Sequence, residues 1–360
     1  MTGPLFANQV GMKAWPCSMF LVLLLVLPNC RQKPSTTQGH EPSGQNSQSS
    51  ILPPSYQLSH MDDCLGICDG SGAVAVDHRH FMVVNDETSE LLIYHRNQSG
   101  PPKQRMDIRK LLDLNKKEEA DLEAAARVGD LFYVIGSHSR DNDGNKEKER
   151  RRLLAFSLHP EGNLFRIQAE GKVCKDLVQD LIKEEALQRI GLKAAMGRAG
   201  DQPEGLNIEA LCSGQGDCLW IGFRGPLIDG RALMVQVANP LEVIQGEKPS
   251  LGDVRLLDLG GRSIRGAERV GEQILILADD SLRGRGAEAF LWDGDGSDPQ
   301  PLFLAGLNLL DPEAILVFPD TQLQVIQILS DDGGRRRGDR DCMDQTSASA
   351  MGFRSATFTY

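Results

Sequence analysis

From Ile208 to Pro226 the chain reads IEALCSGQGDCLWIGFRGP, and this stretch decides how the rest is parsed. It holds a two-residue anchor (Glu209-Ala210), a short strand, a Gly-rich turn, a strongly apolar strand and a polar loop. The same unit recurs as SGAVAVDHRHFMVVNDET from Ser71 and LEAAARVGDLFYVIGSHSRD from Leu122. It recurs again as IRGAERVGEQILILADDS from Ile264 and PEAILVFPDTQLQVIQILSDDG from Pro312. The anchors are thus Ser71, Glu123, Glu209, Arg265 and Glu313, spaced roughly fifty residues apart except for one wider gap after Glu123. Each copy is followed by further strand-like text, such as LLIYHR, RRLLAFSL, RALMVQV and EAFLWDG, and then by a weaker fourth run. Four short strands per repeat is the pattern of a β-propeller blade, which buries its faces only by stacking on neighbours around a channel.

The fold class expected is therefore all-β, a β-propeller. Five anchors favour five blades; a sixth, poorly repeated blade around residues 160–206 is the alternative. The wide gap also holds CKDLVQDLIKEEALQRIGLKAA, where Leu177, Leu181 and Ile182 share one helical face, so one inserted helix is expected over Cys174–Ala195. The last repeat is two strands short. FRSATFTY at the C-terminus and a strand near Ile51–Leu58 are expected to complete it and close the ring.

The ends and the composition set the compartment. The protein has 360 residues, 40% of them hydrophobic, enough to bury a core and to exclude a wholly disordered chain. Its 39 Lys and Arg against 50 Asp and Glu leave a net charge of −11, which argues against nucleic acid as a partner. Met19–Leu27 (MFLVLLLVL) is too short to span a bilayer but suits a secretory signal, with Lys13 before it and Cys30 just after. Residues 1–30 read as a lipoprotein-type export segment with Cys30 as the lipidated residue. Residues 31–55 read as a flexible linker rich in Ser, Gln, Pro and Gly, and residues 56–360 as the propeller. The expectation is a monomer in the periplasm or at the outer membrane, touching membrane only through its N-terminal anchor. Six cysteines follow Cys30, and an oxidising compartment favours disulfides among them. Cys212 and Cys218 flank the SGQGD turn and are the candidate pair.

The phrases NIEALCSGQGDCLWIGFRGPLIDGRALMV and DLEAAARVGDLFYVIGSHSRDNDGNKEKERRRLLAF resemble an uncharacterised bacterial propeller family, described only as a domain of unknown function. The likeness runs over roughly residues 65–360. DPEAILVFPD is also similar to a segment of the esterase-like phytase propellers. The resemblance implies an exported propeller and brings no activity with it.

Blade geometry suggests where chemistry sits. The anchors and the loops after each second strand should open on one rim. Those loops carry Asn85-Asp86-Glu87, Ser137-His138-Ser139-Arg140, Arg224, Asp279-Asp280 and Asp331-Asp332. The result is a concave, mainly acidic rim with several arginines, where Glu123, Glu209, Glu313, Arg265 and Arg224 are the candidate ligand-binding residues. Three carboxylates near one axis repel, and two remedies are open: a Ca²⁺ held by Glu123, Glu209 and Glu313, or pairing to Arg265. Alternatively the acidic anchors only hold blades together. Arg224, between glycines, could grip a ligand anion or pair with an anchor glutamate. His138 is the candidate general base, or else polar lining. The Asp/Gly strings at Asp141–Asn145 and Asp293–Ser297 fit tight turns better than calcium loops, and Arg337-Gly338-Asp339 lies in a low-complexity loop. Two functions follow: an exported propeller binding a small or extended ligand, acting if catalytic as an ester or phosphoester hydrolase, or a non-catalytic scaffold for another envelope protein.

Overall fold

The computed structural model describes residues 55–280 and 286–360; the export segment, Cys30 and nearly all of the linker lie outside the described residues. The first blade is β2 (Gly72–Ala75), β3 (His80–Val84), β4 (Glu90–His95) and β5 (Gln104–Asp107), given that β1 (Ser55–Leu65) belongs elsewhere. The second is β6 (Leu122–Val128), β7 (Leu131–Gly136), β8 (Leu153–Glu161) and β9 (Leu164–Cys174). The third is β10 (Asn207–Ser213), β11 (Leu219–Gly225), β12 (Ala232–Val237) and β13 (Leu251–Leu257). The fourth is β14 (Ser263–Val270), β15 (Gln273–Asp279), β16 (Glu288–Trp292) and β17 (Gln300–Ala305).

The last blade is assembled from both ends of the described chain. Its strands run β18 (Pro312–Leu316), β19 (Val325–Ser330), β22 (Gly352–Thr359) and then β1 on the outside. A two-residue ribbon, β20 (Arg336–Arg337) with β21 (Arg340–Asp341), fills the loop before β22, with Gly338 at its turn. β1 pairs antiparallel with β22 from Gln57 to Leu65 and also touches β17 in parallel, so two blades read as one eight-stranded sheet. The inner strands close a circle: β2 packs on β6, β6 on β10, β10 on β14, β14 on β18, and β18 back on β2.

Burial follows from stacking. Inner strands such as β2 and β3 are buried along their whole length, because each lies between two neighbouring blades, while the outer β9 is mostly exposed. The apolar core is accordingly five layers, each between adjacent blades. Val84 and Ala125 belong to the layer between the first two blades, Ala210 and Ala267 to that between the third and fourth, and Leu316 and Ala73 to the one where the ring closes. A disulfide, Cys68–Cys342, ties the passage from β1 to β2 to the loop of the last blade, across the same closure.

Two expectations are corrected. The single helix over Cys174–Ala195 is instead three short ones, α1 (Leu177–Leu181), α2 (Glu185–Arg189) and α3 (Leu192–Ala195). Glu184 is extended (ψ 136°) and Gly191 is left-handed (φ 77°), so the helical path is cut twice. Leu177, Leu181, Leu187 and Leu192 still reach the layer between the second and third blades, so within the expected sixth-blade region residues 160–174 complete the second blade with β9 and residues 175–206 cap an interface. A fourth helix, α4 (Pro240–Gln245), lies between β12 and β13. Second, Cys212 and Cys218 are free thiols, both buried. The register sets Cys212 opposite Trp220, two residues past Cys218. Diagonal neighbours lie about 7–8 Å apart, beyond the reach of a disulfide. Among the described residues no helix is long and apolar enough to cross a membrane.

Candidate functional site

Each anchor occupies the same mechanical position. In β6, β10, β14 and β18 the pairing register slips by one residue, and the residue skipped is Glu123, Glu209, Arg265 or Glu313. A bulged residue leaves the ladder and its side chain is re-aimed. Here that converts a strand residue, which would otherwise enter a blade interface, into one directed at the channel. The next residue is always Gly or Ala: Gly72, Ala124, Ala210, Gly266 and Ala314. A Cβ on Gly72 would sit 2.6 Å from the Ala124 Cα, so the inner strands are already at contact distance there. The void at the axis, bordered by Ser71, Glu123 and Glu209, is only about 10 Å³.

The anchors are joined by charge. Arg265 holds Glu209 Oε2 at 2.7 Å and also pairs with Glu313. Arg224 Nη1 donates to Glu209 Oε1 at 3.0 Å, and Asn207 Nδ2 donates to the same oxygen at 3.0 Å. Glu209 is 4% exposed and so shares its carboxylate between two arginines out of water. The chain Arg224–Glu209–Arg265–Glu313 therefore crosses the third, fourth and fifth blades. This overturns the expected calcium site at Glu123, Glu209 and Glu313. Arg265 stands where a cation was needed, and no group of three or more Asp, Glu, His or Cys is placed to hold a metal among the described residues.

Glu123 is outside that chain. Burial, with Glu209, Asp121 and Asp86 nearby, holds its carboxyl well above the ordinary range, and Arg265 only partly opposes this. The same acidic crowding pushes Asp69 up to about 8, chiefly through burial and then through Asp86, Glu87 and Asp331. Asp86 rises to about 6 by burial and by Asp121. Asp121 is also raised by burial, although Arg150 (3.0 Å) and Ser137 contact it.

A cavity of about 150 Å³ opens at this end, lined by Arg224, Ser263, Arg265, Asp279, Asp280, Asp311, Glu313 and Asp331. A second of about 90 Å³ shares Arg224, Ser263 and Asp280 with it and runs on to Gly200–Pro203. The two form one cleft over the last three inner strands. The loops that follow the second strands thus reach the anchors through Arg224, Asp279, Asp280 and Asp331. Asp332 does not; it is 2% exposed and consumed by Arg354 and Arg335. His138 is not in the cleft. It is 2% exposed, with φ of 55° and no hydrogen-bond partner at either ring nitrogen among the described residues. Burial first, then Arg151 and Arg152, lower its imidazole to about 3, which corrects its reading as a general base.

Asp69, Asp121, Asp311 and Ser263 went unread in the sequence, yet the signal exists. They stand two residues before an anchor, where Asn207 also stands, so that repeat position is polar in all five blades.

A family model described as "Protein of unknown function (DUF3616)" matches residues 70–159 and 169–303. No curated protein matches the chain. Among solved structures, a putative oxidoreductase (glucose dehydrogenase) from Thermus thermophilus is similar at 9% identity and a TM-score of 0.40, over 83% of this chain and 99% of that one. The major Malassezia sympodialis allergen Mala s 1 is similar at 10% identity and 0.38, over 81% and 77%. An engineered GH43 glycoside hydrolase is similar at 11% identity and 0.39, over 75% of this chain and 49% of its own.

Two outcomes follow from this geometry. Glu209→Gln should cost about 3 kcal/mol in urea unfolding, because two arginines lose their shared charge. The loss should be equal with Ca²⁺ and with chelator; a calcium-dependent gain in the wild type that the variant lacks would restore the metal reading. The second outcome concerns pH. A carboxyl raised in the folded state keeps its proton after the unfolded chain has lost it, so native stability falls as pH climbs through that window. Between pH 6.5 and 8 this applies to Asp69 and, at the far end of the channel, to Glu268, both raised to about 8. His138, lowered in the fold, opposes the trend only below about 6.5. Stability should therefore drop by about 2 kcal/mol per retained proton from pH 6.5 to 8, and Asp69→Asn should flatten the slope. A flat or rising melting profile over that interval would contradict the crowding of the rim.

Proposed function

The chain belongs to the DUF3616 family, and we propose that it is an exported propeller that binds a small, hydroxyl-rich ligand in the cleft at the anchor end of its channel. One observation carries this reading: eight polar side chains from three blades converge on one concave surface. Five of them are acidic and two are arginines already engaged by Glu209 and Glu313. That balance repels phosphate and carboxylate ligands and so disfavours a phosphoester substrate. Hydroxyl groups suit it, because they donate to carboxyl oxygens and accept from guanidinium. The shared residues of the two cavities favour an extended ligand over a compact one.

A hydrolytic role on an ester rests on a second observation. Burial holds the Glu123 carboxyl well above the ordinary range and brings Asp86 to about 6; both stand on the rim beside the cleft, not in its lining, and acids of unequal basicity are what general acid–base chemistry uses. The scaffold reading draws support from Glu209 and Glu313, both consumed between blades. Export is supported by the Met19–Leu27 run with its polar successor and by the Cys68–Cys342 disulfide, since such bonds persist in oxidising compartments.

Calorimetric titration with maltose and cellobiose, against inorganic phosphate, tests the cleft. A disaccharide should bind, Asp279→Asn and Arg224→Ala should each weaken it about tenfold, and phosphate should give no heat. Binding of phosphate alone defeats the reading, and silence from all three leaves the scaffold in its place. For export, mass spectrometry of the protein from its native cells should find a processed chain, lipidated at Cys30; an unprocessed cytoplasmic chain would refute it.

A further inference from the structure

The far end of the channel carries a second site. Three residues after each anchor the repeats place Val74, Ala126, Cys212, Glu268 and Leu316. Four of these are apolar or thiol side chains, no more than 2% exposed, each in the layer between two blades. Only the fourth blade has a carboxyl there. Glu268 faces the layer shared with the last blade, and no hydrogen bond or ion pair reaches it among the described residues. A carboxyl in that place weakens the fold, since an apolar residue serves the same position in the other blades.

Beside it lies a cavity of about 460 Å³, within the usual range for small-molecule sites. Its walls are Val270, Val317, Phe318, Pro319 and Leu323, with Gln322 at the edge in a left-handed conformation (φ 49°). Arg269 also borders it but has a structural counterpart. Arg269 Nε donates to Gly271 O at 2.8 Å, as Arg127 Nε in the second blade donates to Gly129 O at 2.8 Å. Arg269 therefore belongs to a turn that the repeat uses elsewhere, and Glu268 is the departure.

We propose that this cavity binds an organic cation, a primary amine on an apolar body, with its ammonium against the Glu268 carboxylate and its hydrocarbon against the apolar walls. The ammonium supplies the partner that the protein withholds, at a half-buried carboxyl where the apolar walls displace part of the solvent and strengthen a charge pair. The proposal is independent of the cleft at the anchor end. Burial raises the Glu268 carboxyl to about 8, so an amine that binds there competes with a proton for the same oxygens. The other titratable groups facing it are Arg269 on its own strand and, from β10, the Cys212 thiol, itself raised by burial; β15 and the lining of the last blade contribute none.

The test uses the full chain and benzylamine, with benzyl alcohol as the uncharged counterpart. Calorimetry at pH 7 in two buffers of different ionisation enthalpy should show benzylamine binding with release of up to one proton. Benzyl alcohol should bind at least about tenfold more weakly, and benzylamine affinity should fall about tenfold per pH unit below 8. Glu268→Gln should weaken benzylamine at least tenfold, remove the proton release and keep the near-ultraviolet circular dichroism of the wild type. If that variant does not fold, Leu323→Trp, which fills the cavity and leaves the carboxyl, is read in its place. Absence of benzylamine binding at millimolar concentration overturns the proposal. So does binding that survives Glu268→Gln or Leu323→Trp, because the amine then sits at the acidic rim.

Discussion

Five inner strands converge on an axis with room for almost nothing. A Cβ on Gly72 would press on the Ala124 backbone, and one on Gly266 would lie 3.2 Å from the Glu313 carbonyl. Small residues after each anchor are the condition for that convergence, and the bulge at four of the anchors is its companion. The bulge takes a polar side chain out of the blade interface, where it would be buried without a partner, and turns it to the channel end. The layers between blades can then be largely apolar apart from Glu268, and the anchor groups gather at one rim.

That gathering creates the electrostatic character of the molecule. Acids arrive at the rim from every blade, and the arginines there are too few to neutralise them. Arg265 and Arg224 balance the charge on one side, through Glu209 and Glu313. On the other side Asp69, Asp86, Asp121 and Glu123 crowd together, and burial with mutual repulsion raises their carboxyl groups, Asp121 being partly relieved by Arg150. One ring thus contains a half cross-linked by arginine and a half crowded with acids, and the cleft opens over the first. The two ends of the channel also differ in kind: polar and crowded at the anchors, apolar with one lone acid at the other.

Much of this was legible in the repeats. The anchored strand pair marked the blades, and FRSATFTY with a strand near Ile51–Leu58 marked the closure, now seen as β22 and as β1, which runs on past Leu58 to Leu65. The convergence of Glu209, Arg265 and Glu313 followed from their equivalent places in the repeat, and that of Arg224 from a post-strand loop that opens on the same rim. The reading failed where partners rather than positions mattered. Calcium and Arg265 were equal remedies for the anchors until the guanidinium was found between two carboxylates. Cys212 and Cys218 are close in sequence, but the register separates them diagonally, while Cys68 and Cys342 are joined across 274 residues. His138 sits in a loop that reads as rim lining and is in fact sealed from water.

By itself the sequence determined the blades, the order in which they close and the ring on which the polar anchors lie, because periodic patterning sets which residues occupy equivalent places. Only the tertiary structure decided which cation answers which acid, which thiols meet, and that Glu268 is the inner-strand acid left without a partner among the described residues. Such pairings depend on side chains brought within about 3 Å across blades. Spacing along the chain carries no information at that scale.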